Sequence, residues 1–132
     1  MDVKHRIIMA VHGTDVRHRG GTPVTTIWSW TSELPVEIVV EFQPDSIGAR
    51  TWMFARTILD DGLLGSGGIG DIRVRSDGVT AWLKLASPDG WAELTASHRE
   101  LEQFLSATVA HTPIGAEAFD LDGELAKLLA GA

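Results

Sequence analysis

The residues most suggestive of chemistry are the glycines of "GSGGIG", Gly65 to Gly70, which match G-x-G-x-x-G letter for letter. In a dinucleotide loop that spacing lets the backbone approach a pyrophosphate, provided a strand leads into the turn and a helix starts immediately after it. The free N–H groups of that helix hold the phosphates. Here the order is reversed, because "ARTILDDGL" before the glycines reads as a helix and "DIRVR" after them as a strand. No Walker lysine follows. The stretch is therefore expected to be a mobile helix-to-strand connection, and no nucleotide cofactor is expected.

Other constellations fall short in similar ways. "DLDGE" (Asp120 to Glu124) has two of the acids of a calcium loop. It lacks the third ligand before the glycine, the glutamate at position twelve and the flanking helices. Asp120 or Asp122 is expected to cap a last helix, where a carboxylate accepts backbone N–H bonds. His5, His12, His18, His98 and His111 are too loosely spaced for a zinc pair, and a strand puts His5 and His12 on opposite faces, so they read as surface histidines. Serines, histidines and acids are present, but no G-x-S-x-G elbow frames a nucleophile. With no cysteine there is neither a thiolate site nor a disulfide framework. The expectation is a protein with no metal, no cofactor and no catalytic residues.

The elements that would position any site follow from periodicity. Val3 to Val11 alternates as a strand, and "RHRGGTP" links it to "VTTIWSW", which puts Val24, Thr26, Trp28 and Trp30 on one side. "VEIVVEF" turns Val36, Ile38, Val40 and Phe42 inward with Glu37 and Glu41 outward. "QPDSIGA" is a turn, "RTWMF" a fourth strand, and the following helix should end with Gly62 in the left-handed position and Leu63 folded back. A second group of strands follows: "DIRVR", a Ser76-Asp77-Gly78 hairpin turn, "VTAWLKLA", a Ser87-Pro88-Asp89-Gly90 turn and "WAELTA". Ser97 and Glu100 form a capping box for a helix carrying Leu101, Phe104, Leu105 and Val109, which Thr112-Pro113 ends. A final helix displays Leu121, Leu125, Leu128 and Leu129. Strands then helix, twice, indicate an α+β fold of two antiparallel β-meander–helix units plus a C-terminal helix, in one domain spanning residues 1–132.

In the second strand group Ile72, Val74, Val79, Ala81, Leu83 and Leu85 share one face, which leaves Arg73, Arg75, Trp82, Lys84 and Trp91 on the other. Two uses suit a basic, aromatic sheet face. Large aromatics anchor protein interfaces, and bases of single-stranded nucleic acid stack on aromatics. Charge decides between them. The chain carries a formal −7, with six acids and six Lys/Arg up to Leu59 but 12 acids against five Lys/Arg from Asp60 onward. Nucleic-acid binding leans on phosphate neutralisation, so protein contact is the favoured use and nucleic acid the alternative. No apolar run reaches the roughly 20 residues of a membrane span. "MDVKHRIIMAVHG" is not a secretory signal, and a cytoplasmic protein is expected.

"WMFARTILDDGL" followed by "GIGDIRV" resembles the SsgA-like family of actinobacterial sporulation and cell-division proteins, with its W-x-F-A-R-x-L-L-x-x-G-L and G-D-V-R-V segments. Trp52, Phe54, Ala55, Arg56, Leu59, Gly62 and Leu63 match the first, and Gly70, Asp71, Arg73 and Val74 the second. "LASPDGWAEL", "LEQFLSATVAHTPIGAE" and "FDLDGELAKLL" continue the similarity to Leu129, whereas "LPVEIVVEFQPD" lacks the family's Asp-Pro-Tyr. The resemblance implies a whirly-like fold that assembles as a trimer. It implies a non-catalytic protein acting at division septa, which helps to recruit or position the tubulin-like protein FtsZ and interacts with other SsgA-like proteins.

Overall fold

Alternation builds the sheet. In β1 (Asp2–Gly13) Val3, Ile7, Met9 and Val11 are buried while Lys4, Arg6 and Ile8 are exposed, the period-two pattern of a strand with one covered face. β2 (Thr22–Thr31) buries Val24, Thr26, Trp28 and Trp30, and β3 (Glu37–Phe42) buries Ile38, Val40 and Phe42. β4 (Arg50–Ala55) contributes Phe54 and runs directly into helix α1 (Arg56–Leu63). Then come β5 (Ser66–Ile69), β6 (Ile72–Ser76), β7 (Thr80–Ser87), β8 (Gly90–Ser97) and helix α2 (His98–His111). The structure is a computed structural model that describes residues 1–13, 21–43, 50–87 and 90–116. The expected C-terminal helix, the Asp120 or Asp122 cap and most of the link at Arg17 to Pro23 lie outside the described residues.

The eight strands form one antiparallel sheet in the order β4-β3-β2-β1-β8-β7-β6-β5. Consecutive strands pair within each half, and the halves join where β1 meets β8, with Ala10 opposite Thr95 and Gly13 opposite Ala92. Both helices cover the face that carries the core. Phe104 of α2 meets Trp28 edge-on at 5.9 Å, and Trp28 meets Phe54 in the same way. The polar atoms inside are provided for. Trp28 Nε1 donates to Thr26 Oγ1 at 2.9 Å, and that hydroxyl donates to the Ile7 carbonyl at 2.7 Å, so a fully buried indole N–H is satisfied through a fully buried threonine. Arg56, at the start of α1, is also fully buried. It donates to Thr108 Oγ1 of α2 and to the Pro113 carbonyl, and its guanidinium lies 5.4 Å from the Trp30 ring centroid.

Several local expectations need correction. The glycine stretch is not a free connection: Ser66–Ile69 is strand β5, paired along its length with β6. Gly62 is a buried residue inside α1, and the positive-φ glycine after the helix is Gly65 (φ +150). Gly62 is needed for space instead, since a Cβ there would collide with the side chain of Val74 on β6. Gly67 has the matching role on β5, where a Cβ would lie 2.9 Å from the Ile58 carbonyl oxygen of α1. Val36 and Val79 are exposed, because both precede the strands they were assigned to and sit in turns. Ser97 is the N-cap of α2 but makes no side-chain cap bond, so the capping box is not formed. His5 is not a simple surface residue either, since its ring packs edge-on against Phe104 at 5.4 Å.

Two stability measurements check these packing claims. Gly62→Ala gains helix propensity, yet it should destabilise by about 1–3 kcal/mol in urea unfolding because overpacking outweighs that gain. In a Val74→Ala background the penalty should shrink but persist, because the γ-methyls are gone while the Cβ and the carbonyl oxygen of residue 74 still stand against the helix. Thr26→Val keeps the shape but orphans the Trp28 N–H, and should lower stability by about 1–3 kcal/mol.

Candidate functional site

The strand register brings the five predicted surface residues onto one face. β6 sets Arg75 opposite Trp82 and Arg73 opposite Lys84, and β8 sets Glu93 opposite Lys84, Thr95 opposite Trp82 and Trp91 opposite Ala86. Ile72, Val74, Leu83, Leu85 and Leu94 go to the core, so their strand neighbours face away from it. The side chains then pair by charge and ring. The Arg75 guanidinium carbon sits 4.0 Å from the Trp82 ring centroid, and Lys84 Nζ sits 4.7 Å from that of Trp91. Each such pair contributes about 0.5–1 kcal/mol at an exposed position. A guanidinium lying on a ring keeps its in-plane N–H donors available at the edges. The face therefore offers cations already held in position, and Trp91 remains 44% exposed beside them.

Sequence reasoning missed three members of this surface. Glu93 lines the same shallow groove of about 230 Å³ as Arg73, Arg75, Trp82 and Lys84. Ser66 and Gly68 also belong to this face, since they stand directly opposite Arg75 and Arg73. Only the recognition of β5 as a strand could have placed them there. Beyond β8, His12 Nε2 and Thr95 Oγ1 are 2.9 Å apart, which carries the polar surface across to β1. On the other half of the sheet the open face mixes the exposed charges of Lys4, Arg6, Glu37 and Glu41 with Ile8 and Met53, each about three-fifths exposed.

One cluster has the connectivity of a catalytic relay. His98 Nδ1 is 2.6 Å from Ser76 Oγ, and His98 Nε2 is 2.8 Å from a carboxylate oxygen of Glu102. The hydroxyl, however, is engaged in the β6–β7 turn, where it accepts the Gly78 N–H at 3.0 Å and lies 3.3 Å from the Thr80 carbonyl oxygen. Asp77 completes the turn by accepting the N–H groups of Thr80 and Val79, each at 2.8 Å. Those bonds, Thr80 first, hold its carboxyl below the usual 3.8. The backbone N–H of His98 donates to the Val79 carbonyl at 3.0 Å. The group is a clasp that ties the turn to the first residue of α2. Among the described residues no three potential metal ligands converge, and no helix is long and apolar enough to cross a membrane.

Comparison with known proteins gives this geometry its context. The family model described as "Streptomyces sporulation and cell division protein, SsgA" matches residues 24–117. The sporulation-specific cell division protein SsgB of Streptomyces coelicolor is 37% identical, over 87% of this chain and 88% of that protein. SsgB of Frankia casuarinae is 34% identical, over 99% of this chain and 97% of its own length. Among solved structures, an SsgB superposes with a TM-score of 0.77 at 30% identity, covering 89% of this chain and 94% of that one. It is described with mutations in SsgB that correlate to longitudinal cell division during sporulation of Streptomyces coelicolor. The SsgA-like sporulation-specific cell division protein of Thermobifida fusca superposes at 0.78 with 26% identity, covering 96% and 95% of the two chains. This chain therefore belongs to the SsgA family of sporulation and cell-division proteins.

Proposed function

We propose that this protein is a non-enzymatic component of sporulation-associated cell division, which recruits or positions FtsZ and septum machinery through protein–protein contacts. It acts in the cytoplasm, at division septa. The contact surface is the face formed by Arg73, Arg75, Trp82, Lys84 and Trp91. The observation that carries this reading is the pair of adjacent cation–ring stacks on an exposed sheet face, in a chain whose relatives are sporulation-specific cell division proteins. Large aromatics and arginine are the residues that dominate binding energy at protein interfaces. The net charge of −7 weighs against a nucleic-acid partner, and the cations lie over the rings on which bases would stack.

Self-association belongs to the same proposal, with a whirly-like trimer as the expected assembly. What supports it is an apolar diagonal across the opposite half of the open face, running between the exposed charges of Lys4, Arg6, Glu37 and Glu41. Ile8 on β1 and Met53 on β4 are exposed, and Ile27 and Val39 between them are only half-covered.

Co-sedimentation with FtsZ polymers tests the first claim. The protein should pellet with polymer, and Trp82→Ala combined with Trp91→Ala should weaken this by about tenfold or more while far-UV circular dichroism is unchanged. Absence of co-sedimentation together with normal septa on gene disruption would refute it. Steeply salt-dependent binding of oligo-dT that is lost in Trp82→Ala would point to single-stranded nucleic acid instead. Analytical ultracentrifugation checks the second claim, with a trimer expected and Ile8→Asp with Met53→Asp expected to shift it toward monomer.

A further inference from the structure

We infer that strand β5 is an acceptor edge that takes up an extended acidic segment of a partner protein, as a ninth strand beside the basic face. This rests on reading that face as a protein-contact surface, and adds how the partner engages it. β5 ends the sheet, and among the described residues no strand pairs with its outer side. The Ser76 N–H donates to the Gly65 carbonyl, which fixes which residues bond inward. Alternate residues of an antiparallel pair share the ladder bonds. Gly65, Gly67 and Ile69 therefore bond toward β6, while Ser66 and Gly68 turn their N–H and C=O groups outward.

Natural edges are normally blocked by charge, proline or a covering element. β5 carries Ser66, Gly67, Gly68 and Ile69, so neither a charged side chain nor a proline stands on it. Its own residues do not screen β6 either. Ser66 and Gly68, which share the open face with Arg75 and Arg73, carry a small side chain and none, and all four residues are exposed. An added strand would lie about 9–10 Å from β6, two strand spacings away. Arg73 leans that way, since its Cγ lies 3.0 Å from where a Cβ on Gly68 would stand, and it can meet a carboxylate on the same face of the newcomer. Arg75, stacked on Trp82 of β7, would leave that ring to do the same. On the opposite face the incoming strand would find Ile69, which is 75% exposed.

Charge complementarity names the occupant. Arg73, Arg75 and Lys84 form a cationic strip on the open face, with Glu93 as the acid in its groove. Asp61 of α1 stands against Gly67 on the covered face, so carboxylates of an incoming strand are favoured on the open face. A second copy pairing β5 to β5 would bring two sets of arginines together, which like-charge repulsion disfavours. An acidic β-strand adds backbone bonds to Ser66 and Gly68 and a carboxylate pair to Arg73, with Arg75 and Lys84 attracting it from farther across the face, a strand-addition mode of recognition.

The test uses the full chain and fluorescein-labelled eight-residue peptides alternating Glu with Thr or Lys with Thr, followed by anisotropy. The Glu peptide should bind, and its affinity should fall about tenfold between low and moderately high salt. Ser66→Pro removes an outward N–H without breaking a ladder bond and should weaken binding by about tenfold or more. Arg73→Glu with Arg75→Glu should do the same. In the wild-type protein, peptide binding should slow amide exchange at Ser66 and Gly68, a readout independent of any variant's folding. Equal binding of the Lys peptide, no binding of the Glu peptide, or unchanged exchange at both amides would overturn the proposal. If FtsZ co-sedimentation is lost in Trp82→Ala but Ser66→Pro both folds and binds like wild type, the edge is wrong while the face stands.

Discussion

The close approach of α1 to β5 and β6 is the constraint on which the rest of the architecture depends. At Gly62 the helix backbone lies so near Val74 that no side chain fits between them, and at Gly67 the strand backbone meets the helix in the same way. α1 is also the covalent passage from the first four strands to the last four. A strand of Ser-Gly-Gly-Ile has little intrinsic tendency to form, because glycine brings entropy and no side chain to pack. β5 exists because it is held from two sides, by the ladder to β6 and by the helix lying on it. That placement sets the low rim beside Arg73 and Arg75, so the local packing of two glycines shapes the surface a partner would meet.

A second tie secures α1 at its other end. The Arg56 guanidinium reaches Thr108 on α2 and the Pro113 carbonyl beyond it, against the Trp30 ring. Burying a cation is costly unless its donors are met, so Arg56 fixes the relative position of three elements rather than simply filling space. The clasp of Ser76, His98 and Glu102 has a similar role at the N-terminal end of α2. The polar groups that look most like chemistry in this protein hold elements together, while the groups suited to recognition stand on the open sheet.

Much of this was legible in the residues. Strict alternation placed Val24 through Trp30 and Ile38 through Phe42 on the core side, and it also separated Arg73, Arg75, Trp82, Lys84 and Trp91 from Leu83 and Leu85. Type-specific turn chemistry located the Ser76-Asp77-Gly78 hairpin, where Gly78 has φ +92. What failed was whatever depended on a distant neighbour. Gly62 resembles a helix terminator until Val74 is known to lie above it. Nothing in "GSGGI" signals a strand, because its pairing comes from β6 and its support from α1. The burial of Arg56 was equally hidden, since the acceptors it reaches, Thr108 Oγ1 and the Pro113 carbonyl, lie far along the chain on or beyond α2.

The join between β1 and β8 has a consequence for how the chain reaches this structure. Ala10 and Thr95 are neighbours in the sheet but lie about 85 residues apart in sequence, and such distant pairings slow folding. At a synthesis rate of about 5–20 residues per second, β8 emerges several seconds after β1. During that interval β2, β3, β4 and α1 are all available, while the second flank of β1 still waits for its partner. The second flank of β1 can be closed only once β8, the last of the described strands, has been made, so completion of the sheet waits on that strand.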